Sequence, residues 1–238
     1  MQLTPRLAAV AAFIPPGARV ADIGTDHALL PVYLVENKKL PGVIATDLNE
    51  KPYLAACRQV QASNAGHSVE VRKGDGLEAI RPGEVDVIVI AGMGGNTIIG
   101  ILERSPAVLA GVSRLVLQPM ADPGPLRIWL ARNGWRLVDE ELVKEMDRFY
   151  VIMAAEPGND TQGDSLLQEI GPLIVRKSSP VLIEYLEKIR EDYQRVLSGL
   201  ARSRTEESME KAVEMTKKLA GIKELILRCR QSAEKFSR

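Results

Sequence analysis

The sequence predicts an α/β protein: a seven-stranded, mostly parallel sheet with helices on both faces, then an antiparallel helical hairpin closed as a coiled coil. Three observations carry this. Short apolar runs alternate with helix-period stretches as far as Ala155. The run Val85-Asp86-Val87-Ile88-Val89-Ile90-Ala91 is nearly all apolar, as a strand covered on both faces must be. Beyond Pro180 the pattern changes to two heptad seams.

The elements follow in order. Thr4 before Pro5 reads as the cap and first turn of a short helix. The turn Pro16-Gly17-Ala18 leads into a strand over 19–23. Further strands are expected over 43–47, 69–73, 85–91, 114–118, 136–143 and 149–155, and helices over 28–37, 51–64, 95–104 and 123–133. Alternation of this kind implies parallel strands joined by right-handed crossovers. Only Lys144–Arg148 separates the last two strands, which reads as a hairpin, so one terminal strand should run antiparallel. The polar stretch Gly158–Asp164 reads as a linker between a domain over 1–160 and the hairpin over 165–238. In that hairpin Leu182, Leu186, Ile189, Tyr193, Val196 and Leu200 form one seam, and Ala212, Met215, Leu219, Ile222, Ile226 and Cys229 the other. Ser203 with Glu206 makes a capping box between them. Helices packed on a sheet would show a wider apolar face.

Composition narrows the class. The 238 residues are 45% apolar, enough for a substantial core, but only 4% aromatic, so any base stacking rests on few side chains. A formal charge of zero hides an asymmetry: residues 1–164 carry 16 basic and 20 acidic side chains, residues 165–238 carry 15 and 11. A basic tail piece suits a polyanion, although a solvated helical surface has the same look. Cys57 and Cys229 lie far apart without ligand spacing, so neither a disulfide nor a metal is expected and a cytoplasmic setting fits. No apolar stretch reaches membrane-spanning length, and Leu7–Ile14 ends in Pro15-Pro16 without a cleavage site.

The most informative segment is Val20-Ala21-Asp22-Ile23-Gly24-Thr25-Asp26-His27. A strand, a glycine turn and a helix start are where an α/β sheet holds a nucleotide-like ligand. The dinucleotide pattern G-x-G-x-x-G is missing, which disfavours a nicotinamide oxidoreductase. Gly24 stands between two carboxylates, which repel phosphate and suit a cationic ligand with hydroxyls, such as S-adenosylmethionine. Asp47, followed by Leu48, ends the second strand where an acid accepts ribose hydroxyls. Asp75 sits between Gly74 and Gly76 and suits an adenine amino group. Any one of these acids alone reads as a helix cap; acids at the ends of successive strands read as a binding edge. The fourth strand delivers Ala91, Gly92 and Met93, where glycine lets a ligand lie against backbone. Asn96 either bonds a base edge or caps the next helix, and Gln118 at the end of the fifth strand faces the same crevice.

The strings Asp22-Ile23-Gly24-Thr25-Asp26-His27, Ala45-Thr46-Asp47, Gly74-Asp75-Gly76-Leu77, Ala91-Gly92-Met93-Gly94-Gly95 and Leu117-Gln118-Pro119, with Leu126-Arg127-x-Trp129-Leu130 and Phe149-Tyr150, closely resemble the bacterial tRNA (adenine-22 N1)-methyltransferase family. The likeness covers about residues 1–157, and Met120 and Lys51 depart from it. It implies a class I methyltransferase, Rossmann-like sheet, S-adenosyl-L-methionine as cofactor, and methyl transfer to N1 of an adenosine in the tRNA D-loop. On this reading Asp26 stabilises the cationic product, His27 orients the base or takes a proton, and Tyr150 stacks on or bonds to the base. Arg6, Arg127 and Arg132 are the expected phosphate contacts of the body, with Gln118 also on the substrate side. DNA is not an expected partner, and the chain is expected as a monomer or weak dimer. The competing readings are a methyltransferase of another substrate and a non-catalytic cofactor-binding scaffold.

Overall fold

The computed structural model describes residues 2–38, 40–160, 163–200 and 205–236. The chain divides into two compact units, residues 1–162 and 163–238.

The first unit holds one seven-stranded sheet in the order β3-β2-β1-β4-β5-β7-β6. Its strands are β1 (Val20–Ile23), β2 (Val43–Asp47), β3 (Val69–Lys73), β4 (Val87–Met93), β5 (Arg114–Pro119), β6 (Trp135–Glu145) and β7 (Arg148–Pro157). The first five are parallel, β7 is antiparallel to β5, and β6 is antiparallel to β7. The order reverses at β1, whose neighbours are β2 and β4. A crevice therefore opens over the carboxyl ends of these strands. The β6–β7 turn lies at that same edge, because β6 runs in the sense of β5.

The helices are α1 (Pro5–Ala12), α2 (Leu29–Lys38), α3 (Glu50–Gln61), α4 (Gly95–Glu103), α5 (Pro106–Leu109) and α6 (Pro123–Arg132). Thr4 caps α1, its hydroxyl oxygen accepting from the Leu7 N–H at 3.4 Å. Val87, Ile88, Val89 and Ile90 of β4 are all 0% exposed, the burial that their apolar run foretold.

Several boundaries shift from expectation by one to three residues, and for three of them the reason is identifiable. The fourth strand begins at Val87, because the Asp86 carboxylate turns aside to accept from the Arg19 backbone and guanidinium. It then runs on to Met93 through a bulge between Ala91 and Met93. The helix expected from residue 28 starts at Leu29, since His27 and Ala28 adopt left-handed φ of 59° and 49°. The short α5 and a 3₁₀ turn over Gly76–Ala79 were not foreseen, being too brief to show a period.

The second unit contains α7 (Ser165–Ile170), α8 (Pro172–Lys177), α9 (Leu182–Leu200) and α10 (Glu206–Phe236). Arg230, late in α10, pairs with Glu187, early in α9, at 2.8 Å, which sets the two long helices antiparallel. Leu182, Leu186, Leu219, Ile222 and Ile226 of the two seams are buried. Glu169 of α7 joins both helices: it accepts from the Tyr193 hydroxyl and the Lys218 ammonium. Burial, and then the Glu169 carboxylate, push the Tyr193 hydroxyl pKa upward. At the other end of the seams Val196, Met209 and Val213 are exposed. Ser203 of the expected capping box lies outside the described residues. The Thr205 hydroxyl oxygen accepts from the Ser208 N–H at 3.3 Å instead.

Candidate active site

Each strand end delivers its residues for a local reason. After β1 the chain must turn at once to enter α2. Gly24 does this at φ +75°, and a Cβ there would sit 2.2 Å from the Met93 methyl carbon. The N–H groups of Gly24 and Thr25 both donate to the Thr46 carbonyl at 2.8 Å, tying the turn to β2. At the end of β2, Asp47 accepts from the Asn49 N–H at 2.8 Å through Oδ1. Its carboxylate is thereby fixed while Oδ2 stays available. Asp75 follows β3 and pairs at 3.3 Å with Arg104, the residue that ends α4 as its C-cap. Nothing local in the sequence pointed to Arg104, which lies 29 residues away.

These elements enclose a crevice of about 480 Å³ lined by Gly24, Asp47, Leu48, Asp75, Gly76, Ala91, Gly92, Met93 and Asn96, with Arg104 at its side. A second pocket of about 370 Å³ is lined by Arg6, Asp22, Gly24, Thr25, Asp26, Ala91, Gly92, Met120, Glu145 and Tyr150. Gly24, Ala91 and Gly92 line both, so the two cavities meet where the backbone is barest. Asp22, Thr25 and Asp26, expected beside the cofactor, line the second cavity and not the first. Another hollow of about 440 Å³, lined by Arg19, His67 and Glu84, lies at the amino ends of the strands. Its carboxylates, Glu70 and Glu84, are both engaged by Arg72, and it sits at the edge opposite the switch point.

Asp22 is buried beneath the second pocket at 6% exposure. Burial raises its pKa to about 6, the Thr25 hydroxyl pulls it down and the Asp47 charge pushes it up again. Asp26 is exposed and lies 3.3 Å from His27 Nε2. His27 lines neither cavity, so its reach toward a base is through Asp26.

Arg6 is not on an open surface. Its Nη1 donates to Gln118 Oε1 at 2.8 Å, its guanidinium lies 5.6 Å from the Tyr150 ring centre, and its backbone N–H donates to Glu145 Oε2 at 2.9 Å. Arg6 Nη1 also comes within 3.9 Å of the place a Cβ on Gly92 would occupy. Arg6 is therefore part of the pocket wall. Gln118 is 0% exposed and reaches the pocket through Arg6 and Met120, which corrects the expectation that it faces substrate.

Arg127 is the plainest correction. It is 1% exposed and paired at 2.7 Å with Glu140, itself 0% exposed, so it joins α6 to β6 and cannot meet RNA. Arg132 remains exposed. Asn96 caps nothing: Gly94 holds the cap position of α4, and the Asn96 amide donates to Asp122 at 3.0 Å beside the first crevice.

The site fits S-adenosylmethionine better than a pyrophosphate ligand. The first crevice offers Asp47 to hydroxyls and Asp75 to an amino group, and carboxylates crowd its junction with the second. A phosphate would be repelled there, and a sulfonium attracted.

Comparison with known proteins agrees. A family model described as "Methyltransferase domain" matches residues 3–153. The tRNA (adenine(22)-N(1))-methyltransferase of Bacillus subtilis strain 168 is 37% identical over 232 residues, 95% of this chain and 98% of that protein. The crystal structure of the B. subtilis m1A22 tRNA methyltransferase TrmK superposes with a TM-score of 0.85 at 35% identity, covering 94% of this chain and 99% of that one. Streptococcus pneumoniae Sp1610, solved in complex with S-adenosyl-L-methionine, gives a TM-score of 0.85 at 34% identity over 94% of this chain and 100% of that one.

Proposed function

The chain belongs to the bacterial tRNA (adenine-22 N1)-methyltransferase family, and from that membership we propose how its residues carry out the transfer. The protein is an S-adenosylmethionine-dependent enzyme that methylates N1 of adenosine 22 in tRNA. The observation that carries the site assignment is the pair of cavities meeting at Gly24, Ala91 and Gly92. One holds the methyl donor and the other the acceptor base, with Gly24, Ala91 and Gly92 between them.

When bound, the donor supplies an electrophilic methyl group on a positively charged sulfur. Asp47 takes the ribose hydroxyls and the Asp75–Gly76 turn the adenine of that donor. In a paired nucleotide N1 of adenine is engaged, so the target base must leave its stack and enter the second pocket. Tyr150, with Arg6 over its ring, gives that pocket an aromatic wall for the base. The N1 lone pair forms the new N–C bond while the S–C electron pair returns to sulfur. No strong base is needed for this step, so positioning supplies most of the rate. Positive charge appears on the ring, and the Asp26 carboxylate stands in the same pocket to stabilise it. His27 positions Asp26.

Arg132 and the basic side chains of α9 and α10 provide the phosphate contacts to tRNA, a substrate that suits a cytoplasmic enzyme. Among the described residues no helix is long and apolar enough to cross a membrane.

The test is nucleoside mass spectrometry on unmodified tRNA incubated with the protein and isotope-labelled methyl donor. Label should enter 1-methyladenosine and vanish when adenosine 22 is replaced. Label in another nucleoside, or none, overturns the proposal.

A further inference from the structure

We propose that Glu145 reads the acceptor base as adenine by accepting a hydrogen bond from its exocyclic amino group. The inference rests on the methylation reading above. It goes beyond that reading by assigning discrimination among bases to one side chain that the catalytic steps leave unused.

Several observations converge on Glu145. It ends β6 at the edge where the strands deliver the site, and it lines the acceptor pocket. It is only half-buried, so a ligand can reach it. Its Oε2 is anchored at 2.9 Å by the Arg6 N–H, at the first turn of α1. Among the described residues its Oε1 has no hydrogen-bond partner. One oxygen is held and the other is free, which is the state of a preorganised acceptor.

The rest of the pocket wall does not supply this. Asp22 lines the pocket at only 6% exposure, and Asp26 is largely exposed, engaged with His27 and assigned to the developing ring charge. Arg6 and Tyr150 offer donors and a ring face. The Watson–Crick edge of adenine offers a bare N1, the nucleophile, next to an amino donor. Guanine offers a protonated N1 next to a carbonyl oxygen. A fixed carboxylate satisfies the amino donor and repels the carbonyl, so the same atom that orients adenine rejects guanine. A site that hydrogen-bonds a substrate group discriminates strongly against an analogue lacking it.

The competing explanation is structural: Glu145 caps α1 and does nothing more. The two differ in what they predict for a base without an amino group. The test uses the full-length protein and two tRNAs carrying either adenine or unsubstituted purine at position 22. Purine keeps a nucleophilic N1 and lacks the 6-amino group. Wild-type kcat/KM should be lower on purine by about 10- to 100-fold, the usual worth of a lost hydrogen bond to a charged group. Glu145→Ala should lose a similar factor on adenine and change little on purine, so the two substrates become nearly equal. Glu145→Gln keeps an acceptor for the Arg6 N–H and turns an amide donor toward the base. It should retain the thermal stability and cofactor affinity of the wild type while still losing the preference for adenine.

Equal losses on both substrates, or an undiminished preference in Glu145→Gln, would assign Glu145 to capping alone and overturn the inference. A wild-type enzyme that methylates neither tRNA would overturn the methylation reading, and this assignment with it.

Discussion

Asp22 shows how a single buried acid links stability to function. With its folded pKa raised to about 6, the fold favours the neutral carboxyl. That contribution is complete below the ordinary carboxylate pKa near 4 and is lost as pH rises through about 6. Glu84 works oppositely, held down to about 2 by Arg72, so its stabilisation is present above the ordinary pKa and lost on strong acidification. Asp22→Asn isolates the first effect. The variant without ligand should gain stability over wild type as pH rises from 4 to 7, by on the order of 2–3 kcal/mol, measured by denaturant titration. A pH-independent difference would show that folding does not raise the Asp22 pKa. Asp47 makes the complementary case. Asp47→Ala should weaken S-adenosylmethionine binding by at least about tenfold, as expected for a lost hydrogen bond to a charged acceptor. An unchanged calorimetric affinity would reject the ribose contact. Both acids were legible in the sequence because each ends an apolar strand run. The anchoring of Arg6 by Gln118 and Glu145 was not, since those contacts span 112 and 139 residues. Arg127 was misread for the same reason: whether an arginine on a crossover helix is buried depends on Glu140, on a different element.

At the scale of elements, the β1–α2 turn is the tightest constraint. Gly24→Ala forces a left-handed backbone on a residue with a Cβ and drives that carbon into Met93. Strain of this kind costs about 1–3 kcal/mol. The variant should melt at a lower temperature and lose cofactor affinity together, because Met93 and Gly24 line the same crevice. Retention of wild-type affinity would mean that the turn can relax without closing the donor site. The strand boundaries were readable to within about two residues from apolar runs, and the antiparallel ending from the brevity of the Lys144–Arg148 connection. The left-handed pair His27 and Ala28 was hidden, because histidine only hints at a positive φ and alanine does not.

For the whole molecule, the separation of an acidic body from a basic tail predicts where RNA affinity resides. A chain ended after residue 162 should bind S-adenosylmethionine nearly as well as the full protein and bind tRNA much more weakly. Its residual tRNA binding should also depend less on salt, as fewer phosphates are neutralised. Equal loss of both ligands would mean that the second unit supports the fold of the first. The alternation of strands and helices made the position of the site legible: in such a sheet the crevice opens over the carboxyl ends of the strands. The division of that crevice into two cavities with a shared backbone throat was not legible, since it depends on where Arg6, Met120 and Tyr150 come to rest.

The central claim is that the donor lies over Asp47 and Asp75 with its sulfur at the Gly24–Gly92 junction, facing the pocket that takes the base. A crystal structure with S-adenosylhomocysteine tests it most directly. The ribose hydroxyls should bond Asp47, the adenine should rest on the Asp75–Gly76 turn, and the sulfur should point between Gly24 and Gly92. The ligand bound in any other orientation, or lodged at the amino ends of the strands beside Arg19 and His67, would contradict it.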